Sequence, residues 1–301
     1  MDVGVIGVGT MGKNHVRVFS ELKNVGALGV FDINTVAVQD IGRQYGAQVY
    51  HSVEDLIEHS DLVSVCVPTP FHAAVARQVF SAGRHVFIEK PICATSAEAV
   101  DLMKAAPHGI TVGIGHIERF NPIVAEIKKI ITCPLYMEMK RHNPASARVT
   151  GSSVVEDLMI HDIDILLNVF FSEPCRIHSV GNADVCSVLM ECGNVPVVLS
   201  ASRKASKKIR IIYIEQEDLT VEGDFMSQEV MVYRKPGRYQ FEAERYVQEN
   251  IIEKVMVNKV EPLKVELAAF LDCAQKGIPF PVTPAQAIHN LVVSEQIRAG
   301  F

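Results

Sequence analysis

Asp157, His161, Asp164 and Asn168 recur at intervals of four, three and four residues within EDLMIHDIDILLNVF, a stretch otherwise built of apolar side chains. At about 100° per residue they fall in one narrow stripe of a helix. Leu158, Ile160, Ile165 and Phe171 flank the stripe, while Met159, Ile163, Leu166 and Phe170 take the opposite face. Polar groups between two apolar borders need partners, because an unpaired buried charge is costly. Three arrangements meet that need: an internal network in which aspartates orient a core histidine, a metal site, or an acid–base pair facing a substrate. One helix supplies few metal ligands and no cysteine or histidine cluster completes a zinc shell, so no metal is expected. Histidine suits proton transfer near neutral pH, and a carboxylate one turn away can orient the imidazole or a sugar hydroxyl. Asp162 lies off the stripe, where an exposed or hydrogen-bonding role is expected.

A second constellation lies near the start, where an apolar run enters Gly7-Val8-Gly9-Thr10-Met11-Gly12 and then a helical pattern. Gly7 permits a tight turn, Gly9 lets the backbone approach a pyrophosphate, and Gly12 lets helix and strand pack closely with the helix N-terminus facing the anion. Gly7, Gly9, Thr10, Met11 and Gly12 are therefore expected to bind a dinucleotide. Asp32 follows 20 residues after Gly12, at the end of the next strand. A carboxylate there accepts from the adenosine ribose hydroxyls and repels a 2′-phosphate, which favours NAD over NADP. The bland alternative for Asp32 is the start of a turn before Asn34.

Two further places lie at strand ends. Pro68-Thr69-Pro70 closes the run LVSVCV at the carboxyl edge of the sheet, where open α/β folds bind ligands; Thr69 and His72 are expected cofactor contacts there, with a simple proline-rich turn as the alternative. Glu89-Lys90-Pro91 closes RHVFIE, and Glu89 is grouped with the cofactor contacts. Lys90 is expected to project from that edge, near the nicotinamide, where an ammonium hydrogen-bonds a substrate hydroxyl and stabilises the developing alkoxide. An exposed Glu–Lys ion pair is the alternative.

These residues need a scaffold. From residue 1 to about 118, β-branched runs (3–8, 27–32, 62–67, 84–89, 110–115) alternate with helical patterns over 11–22, 35–45, 71–81 and 96–105. That rhythm predicts a doubly wound parallel sheet. After Phe120 it changes to a helix over 122–131, a strand over 135–142, and the helix carrying the polar stripe from about Ser153 to Phe170. The strand-like runs CRIHSV, DVCSVLMEC, VPVVLSAS, IRIIYIE, LTVEG and EVMVYR then follow one another, with Gly193-Asn194 as a hairpin turn. Strands in succession predict a mainly antiparallel sheet in an α+β domain, closed by helices over 262–275 and 284–298.

Composition narrows the function classes. The 301 residues are 48% hydrophobic and 21% charged, with a net charge of −6 and no long block of one sign. This disfavours binding to nucleic acid by counterion release and favours a small-molecule partner. No apolar run approaches the roughly 18 residues that cross a bilayer, and strand-like sequence begins at Val3, so a cytoplasmic protein is expected. The seven cysteines lack C-x-x-C spacing and mostly sit in apolar contexts, such as Cys66 and Cys186; they read as buried free thiols. The run from Arg203 to Lys208 reads as a solvated turn.

Taken together, GVGTMG, Glu89-Lys90-Pro91 and Asp157-x-x-x-His161 occur in an order that resembles the glucose-fructose oxidoreductase and inositol dehydrogenase family, Gfo/Idh/MocA, over nearly the whole chain. The resemblance implies an N-terminal NAD-binding Rossmann domain, residues 1–118, and a substrate-binding α+β domain, residues 119–301. The open sheet of the latter often forms the oligomer contact in that family, so a homo-oligomer, dimer or tetramer, is expected. The resemblance makes Lys90 the catalytic lysine, His161 the acid–base residue and Asp157 the substrate-positioning carboxylate. One departure is local: the family often has glycines before this last motif, whereas here Gly151 is followed by SSVVED.

A narrower resemblance rests on GHIERFNP (115–122), KRHNPASAR (140–148), EDLMIHDIDIL and EPLKVELAAFLDCAQKGIPFPV. It is to the group within the family that oxidises the 3-hydroxyl of UDP-N-acetylglucosamine. By this likeness Arg119, Asn121, Arg141 and Arg148 join Lys90, Asp157 and His161 as substrate-binding residues, the arginines holding a diphosphate through charge-assisted hydrogen bonds. A structural salt network is the alternative for these four. Two rival functions remain open: a dehydrogenase of inositol or another polyol, and a non-catalytic NAD-dependent regulator on the same scaffold.

Overall fold

The computed structural model describes the chain except for residues 145–151, 236–238, 243–244 and 249–250 and the side chains of 239–242 and 245–248. The chain divides into two compact units, Met1–Phe120 with Glu261–Val292, and Asn121–Val260 with Val293–Phe301.

The first unit begins β1 (Val3–Ile6), α1 (Thr10–Glu21), β2 (Leu28–Phe31), α2 (Thr35–Tyr45), β3 (Gln48–Val49) and α3 (Val53–Glu58). It continues with β4 (Leu62–Val65), α4 (His72–Ser81), β5 (His85–Glu89), α5 (Ser96–Lys104) and β6 (Val112–Gly115). The strands form one parallel sheet in the order β3-β2-β1-β4-β5-β6. This is the doubly wound order, with its switch point between β1 and β4. The apolar runs are what both-sided burial requires: Val3, Val5, Val63, Val65, Val86 and Ile88 are all at most 1% exposed. The two-residue β3 and six-residue α3 are not among the expected elements, because each is too short to carry a readable period.

The second unit opens with α6 (Pro122–Ile130), capped by the Asn121 side chain accepting from the Ile123 N–H, and β7 (Tyr136–His142). A continuous helical segment follows in three registers: π over Val155–Met159, α over Ile160–Ile165 (α7), and π over Leu166–Phe170. Then come β8 (Cys175–Gly181), β9 (Val185–Cys192), β10 (Val195–Ser202), β11 (Ile209–Glu215), β12 (Leu219–Asp224) and β13 (Glu229–Arg234). Three short strands, β14 (Tyr239–Glu242), β15 (Arg245–Gln248) and β16 (Ile251–Lys254), end the series. The large sheet has the order β16-β13-β12-β11-β7-β10-β9-β8, antiparallel throughout except where β7 runs parallel to β10. Gly193-Asn194 forms the expected two-residue hairpin, with Gly193 at φ 62°. Strand alternation buries one face: Met137, Met139, Val188, Met190, Val197, Leu199, Ile212 and Ile214 pack with Ile123 and Ile127 of α6 and with Val155, Met159, Ile163 and Leu166.

Two helices complete the chain, α8 (Pro262–Lys276) and α9 (Pro284–Arg298). They do not both belong to the second domain, as a single boundary after residue 118 assumes. Leu263, Leu267, Phe270 and Leu271 of α8 are buried in the first unit's core, where the Phe270 ring lies 5.1 Å from that of Phe87. A Cβ on Gly113 of β6 would come within 2.6 Å of Phe270, so the small residue admits the helix. Along α9, Leu291 joins the first core whereas Val293 and Ile297 join the second.

Two expectations need correction. Cys175 and Cys192 face each other in the β8–β9 register and form a disulfide with Cα atoms 4.3 Å apart, close to the separation of directly opposed antiparallel residues. The other five are free, but only Cys93, Cys186 and Cys273 are buried; Cys66 is half-buried and Cys133 exposed. The run after β10 is not wholly solvated either. Arg203 is buried and donates to the Ser152 carbonyl at 2.7 Å, because it continues from the inward-facing end of a central strand; Lys204, Lys207 and Lys208 are exposed.

Candidate active site

In the first unit, the turn from β1 to α1 opens on a cavity of about 700 Å³ at the carboxyl edge of the sheet. Its wall includes Gly7, Gly9, Thr10, Met11, Asp32, Thr69, His72, Glu89 and Lys90. Eight of the nine residues expected to touch the cofactor thus meet in one place, together with Lys90. The ninth, Gly12, acts from behind. A Cβ there would lie 1.8 Å from the Gly7 carbonyl oxygen, so only hydrogen lets α1 pack against the turn. Gly7 itself sits at φ 90°, a conformation that favours glycine.

The cavity fits a dinucleotide by its own features. A Cβ built on Gly9 meets no atom within 4 Å, and no side chain caps the N-terminus of α1, whose positive end therefore faces the opening. Asp32 is fixed by two backbone donors, Val8 N–H at 2.6 Å and Asn34 N–H at 2.8 Å, which aim its carboxylate along the rim. Ile33, 91% exposed, and Phe71, 57% exposed, line the same cavity and offer apolar surface for an adenine ring. The volume lies within the range of pre-formed ligand sites, roughly 300–1,000 Å³.

His72, in the cavity wall, also has a structural part. Its ring is buried, with Nε2 2.8 Å from the Val67 carbonyl oxygen and Nδ1 2.9 Å from that of Pro91. It ties the end of β4 to the segment after β5, and so shapes the wall. Burial pushes its pKa down, against the pull of the two carbonyls and Glu89.

Beneath Lys90 lies a network that the sequence alone does not reveal. His15 of α1 is fully buried, its Nδ1 2.8 Å from Ser64 Oγ on β4 and its Nε2 2.9 Å from Glu89 Oε1 on β5. Burial opposes the charged imidazole, but the charge and hydrogen bond of Cys66, and then those of Glu89, hold its pKa well above the ordinary 6.5. Burial likewise opposes the Glu89 carboxylate, yet the His15 hydrogen bond and charge, followed by Lys90, bring its pKa below 4.5. The other Glu89 oxygen accepts the Lys90 backbone N–H at 3.1 Å. The signal that was available is the helical spacing of Gly12, His15, Val16 and Phe19, all on the buried face of α1.

In the second unit, the polar stripe is where the spacing put it in part. Asp157, His161 and Asn168 are half-buried; Asp164 is buried and accepts from the Asn168 amide at 3.0 Å. The π turns at either end alter the simple 100° progression, and such i→i+5 turns often occur at functional places. Asp162 is buried and takes the hydrogen-bonding role, not the exposed one, of the two expected of it. Arg141 of β7 donates to its Oδ1 through Nε at 3.0 Å and through a terminal nitrogen at 2.7 Å, with the guanidinium 5.4 Å above the Phe225 ring. Arg141 thus forms a buried ion pair of the kind the structural alternative supposes. The inward alternation of Met137, Met139 and Arg141 along β7 was the sequence signal for it.

Asn121 is also buried, accepting from Ile123 N–H at 3.4 Å and donating to the Phe225 carbonyl at 3.0 Å, a cap that anchors α6. Arg119 is half-buried in the first unit, in a short 3₁₀ turn over Ile117–Phe120. Arg148 lies outside the described residues.

Comparison with known proteins agrees with this architecture. Residues 1–116 match the model of an oxidoreductase family with an NAD-binding Rossmann fold, GFO_IDH_MocA. UDP-N-acetylglucosamine 3-dehydrogenase of Acidithiobacillus ferrooxidans is 32% identical over 244 residues, covering 78% of this chain and 77% of the relative. An inositol 2-dehydrogenase of Serratia proteamaculans is 29% identical over 181 residues, 55% of this chain and 53% of the relative. Among solved structures, that of the Acidithiobacillus enzyme superposes with a TM-score of 0.90 at 28% identity, covering 100% of this chain and 97% of the other. Among the described residues no helix is long and apolar enough to cross a membrane. A parallel sheet with the glycine turn and a large mixed sheet behind the Asp157–His161 helix, joined to a 32% identical relative, make this chain an NAD-dependent oxidoreductase of the Gfo/Idh/MocA family.

Proposed function

We propose that the protein oxidises the 3-hydroxyl of a UDP-linked amino sugar, UDP-N-acetylglucosamine, to the 3-keto sugar nucleotide. The observation that carries a dehydrogenase is Lys90, half-buried in the wall of the dinucleotide cavity and directly after the buried Glu89. The sugar nucleotide is supported by the likeness to the Acidithiobacillus enzyme. Gly7, Gly9, Thr10, Met11, Asp32 and Thr69 would hold NAD, which supplies the hydride acceptor when bound.

The chain's own side chains manage the proton and the charge. His161 would take the proton of the 3-hydroxyl while the C3 hydride leaves for the nicotinamide, and the Lys90 ammonium hydrogen-bonds the oxygen as negative charge develops on it. Asp157, one turn before His161, orients the sugar or the imidazole. Arg119 and Arg148 are the proposed diphosphate ligands, with Asn121 acting through the backbone it fixes.

Mixing the protein with NAD and UDP-N-acetylglucosamine should generate reduced-nicotinamide absorbance, lost on Lys90→Ala. Turnover of myo-inositol with none of the sugar nucleotide would replace this substrate with a polyol, the reading that the inositol dehydrogenase likeness favours. NAD binding with no hydride transfer to any of a panel of sugars would leave a regulator.

We also propose a homo-oligomer formed through the outer face of the large sheet, where Leu189 is 52% and Val180 78% exposed. Light scattering should then give a multiple of the 33.2 kDa chain mass. Cytoplasmic residence is part of the same reading, since both NAD and UDP-sugars are cytoplasmic metabolites.

A further inference from the structure

The structure shows what stands behind Lys90. Two strands and one helix converge there: α1 supplies His15, β4 supplies Ser64, and β5 supplies Glu89. His15 and Ser64 are 0% exposed and do not reach the cavity, and Glu89, which lines it, is only 8% exposed. Yet the chain places a histidine and a carboxylate in its core, which is costly unless each group is satisfied. The ring spans Ser64 Oγ and Glu89 Oε1, and Glu89 Oε2 accepts the Lys90 N–H.

We propose that His15 is a positioning residue for Lys90: held by Ser64, it fixes the Glu89 carboxylate, whose free oxygen fixes the Lys90 backbone at the mouth of the cofactor cavity. The chain of contacts is direct. A lysine has four side-chain torsions, and the direction in which its ammonium starts is set by its backbone. Fixing the Lys90 N–H removes one source of misplacement from a group that must lie within hydrogen-bond reach of a reacting oxygen. The His15 Nε2–Glu89 Oε1 contact at 2.9 Å, between a buried ring and a buried carboxylate, stiffens the arrangement, and the hydrogen bond and charge of Glu89 favour the protonated ring. The edge-on packing of the ring against Phe19, with centroids 6.4 Å apart, closes its remaining freedom.

This inference rests on the reading that Lys90 serves hydride transfer, and the test separates the two. Turnover of UDP-N-acetylglucosamine and NADH binding by fluorescence are measured for His15→Gln, Lys90→Ala and the double variant, with ethylammonium added to restore measurable rates where Lys90 is absent. A misplacement on the order of 1 Å costs up to about 100-fold in rate, so His15→Gln is expected to lower kcat by about 10- to 100-fold, with NADH affinity within about threefold of the parent protein. In the Lys90→Ala background, rescued by the amine, the same substitution is expected to cost less than about threefold, because no tethered ammonium remains to misplace. An equal loss in both backgrounds, or an unchanged kcat for His15→Gln while Lys90→Ala is inactive, overturns the proposal. Full activity of Lys90→Ala defeats the reading of Lys90 itself. Ser64→Ala serves should His15→Gln not fold. It releases one of the ring's two holds, and is expected to lower kcat several-fold with melting temperature nearly unchanged; wild-type kcat in that variant also overturns the proposal.

Discussion

Removing Asp162 should expose how much the helix carrying His161 owes to one buried ion pair. The side chains of Arg141 and Asp162 are 1% and 3% exposed, and two guanidinium N–H groups converge on a single carboxylate oxygen. Asp162→Ala leaves a guanidinium in the core without its principal counter-charge. Breaking a buried pair from one side costs about 3–5 kcal/mol, against about 0–1 kcal/mol for a surface pair. Coulomb attraction at about 4 Å and an effective dielectric constant of about 20 gives the same scale, ~4 kcal/mol. Of the roughly 5–15 kcal/mol that keeps a domain folded, this is a large share. Replacing both partners, Arg141→Met with Asp162→Leu, should recover most of the loss, since apolar residues of similar volume need no counter-charge. Urea unfolding followed by far-ultraviolet circular dichroism measures both, with NADH binding as a separate reading of the first unit. A loss below about 1 kcal/mol for Asp162→Ala, or a double variant no more stable than the single ones, refutes the argument. The same series decides the role of Arg141 toward substrate. A diphosphate ligand would raise KM for the sugar nucleotide on Arg141→Met while Asp162→Ala left it alone; the structural pair predicts similar effects from the two.

Other consequences can be checked on the first unit. Gly12→Ala places a methyl group against the Gly7 carbonyl, so it should lower NADH affinity by at least about tenfold or prevent folding, whereas unchanged binding contradicts the packing role. Asp32→Ala removes the acceptor of Val8 and Asn34 N–H; hydrogen bonds to a charged group are worth about 1.5–3 kcal/mol, so NAD binding should weaken roughly tenfold or more and the preference over NADP should narrow. The pH dependence of the melting temperature should have two limbs. The stabilisation from His15, whose pKa is raised, is complete below its ordinary 6.5 and declines as pH rises toward the native value; that from Glu89, whose pKa is lowered, is complete above its ordinary 4.5 and is lost as pH falls toward the native value. His15→Gln should flatten the alkaline limb, and a limb that survives the substitution unchanged assigns it to another group.

The sequence by itself determined what is local. The Gly7-Gly9-Gly12 turn, Asp32 at the next strand end and Lys90 before a proline each depend on neighbours a few residues away, and strand and helix periods record which side is buried; these readings led to nine residues in the wall of one cavity. The stripe of Asp157, His161 and Asn168 was legible for the same reason, as a repeat on one helical segment. Tertiary structure alone decided the pairings that span the fold. His15 meets Glu89 74 residues away because α1 packs against β4 and β5 pairs beside it, and Arg141 meets Asp162 because β7 turns its inward side chains toward α7. The Cys175–Cys192 bond follows from strand register, and the assignment of α8 to the first core from the fit of Phe270 over Gly113. Local chemistry says which groups a segment offers; only the packing of segments, through burial and register, says which group each one finds.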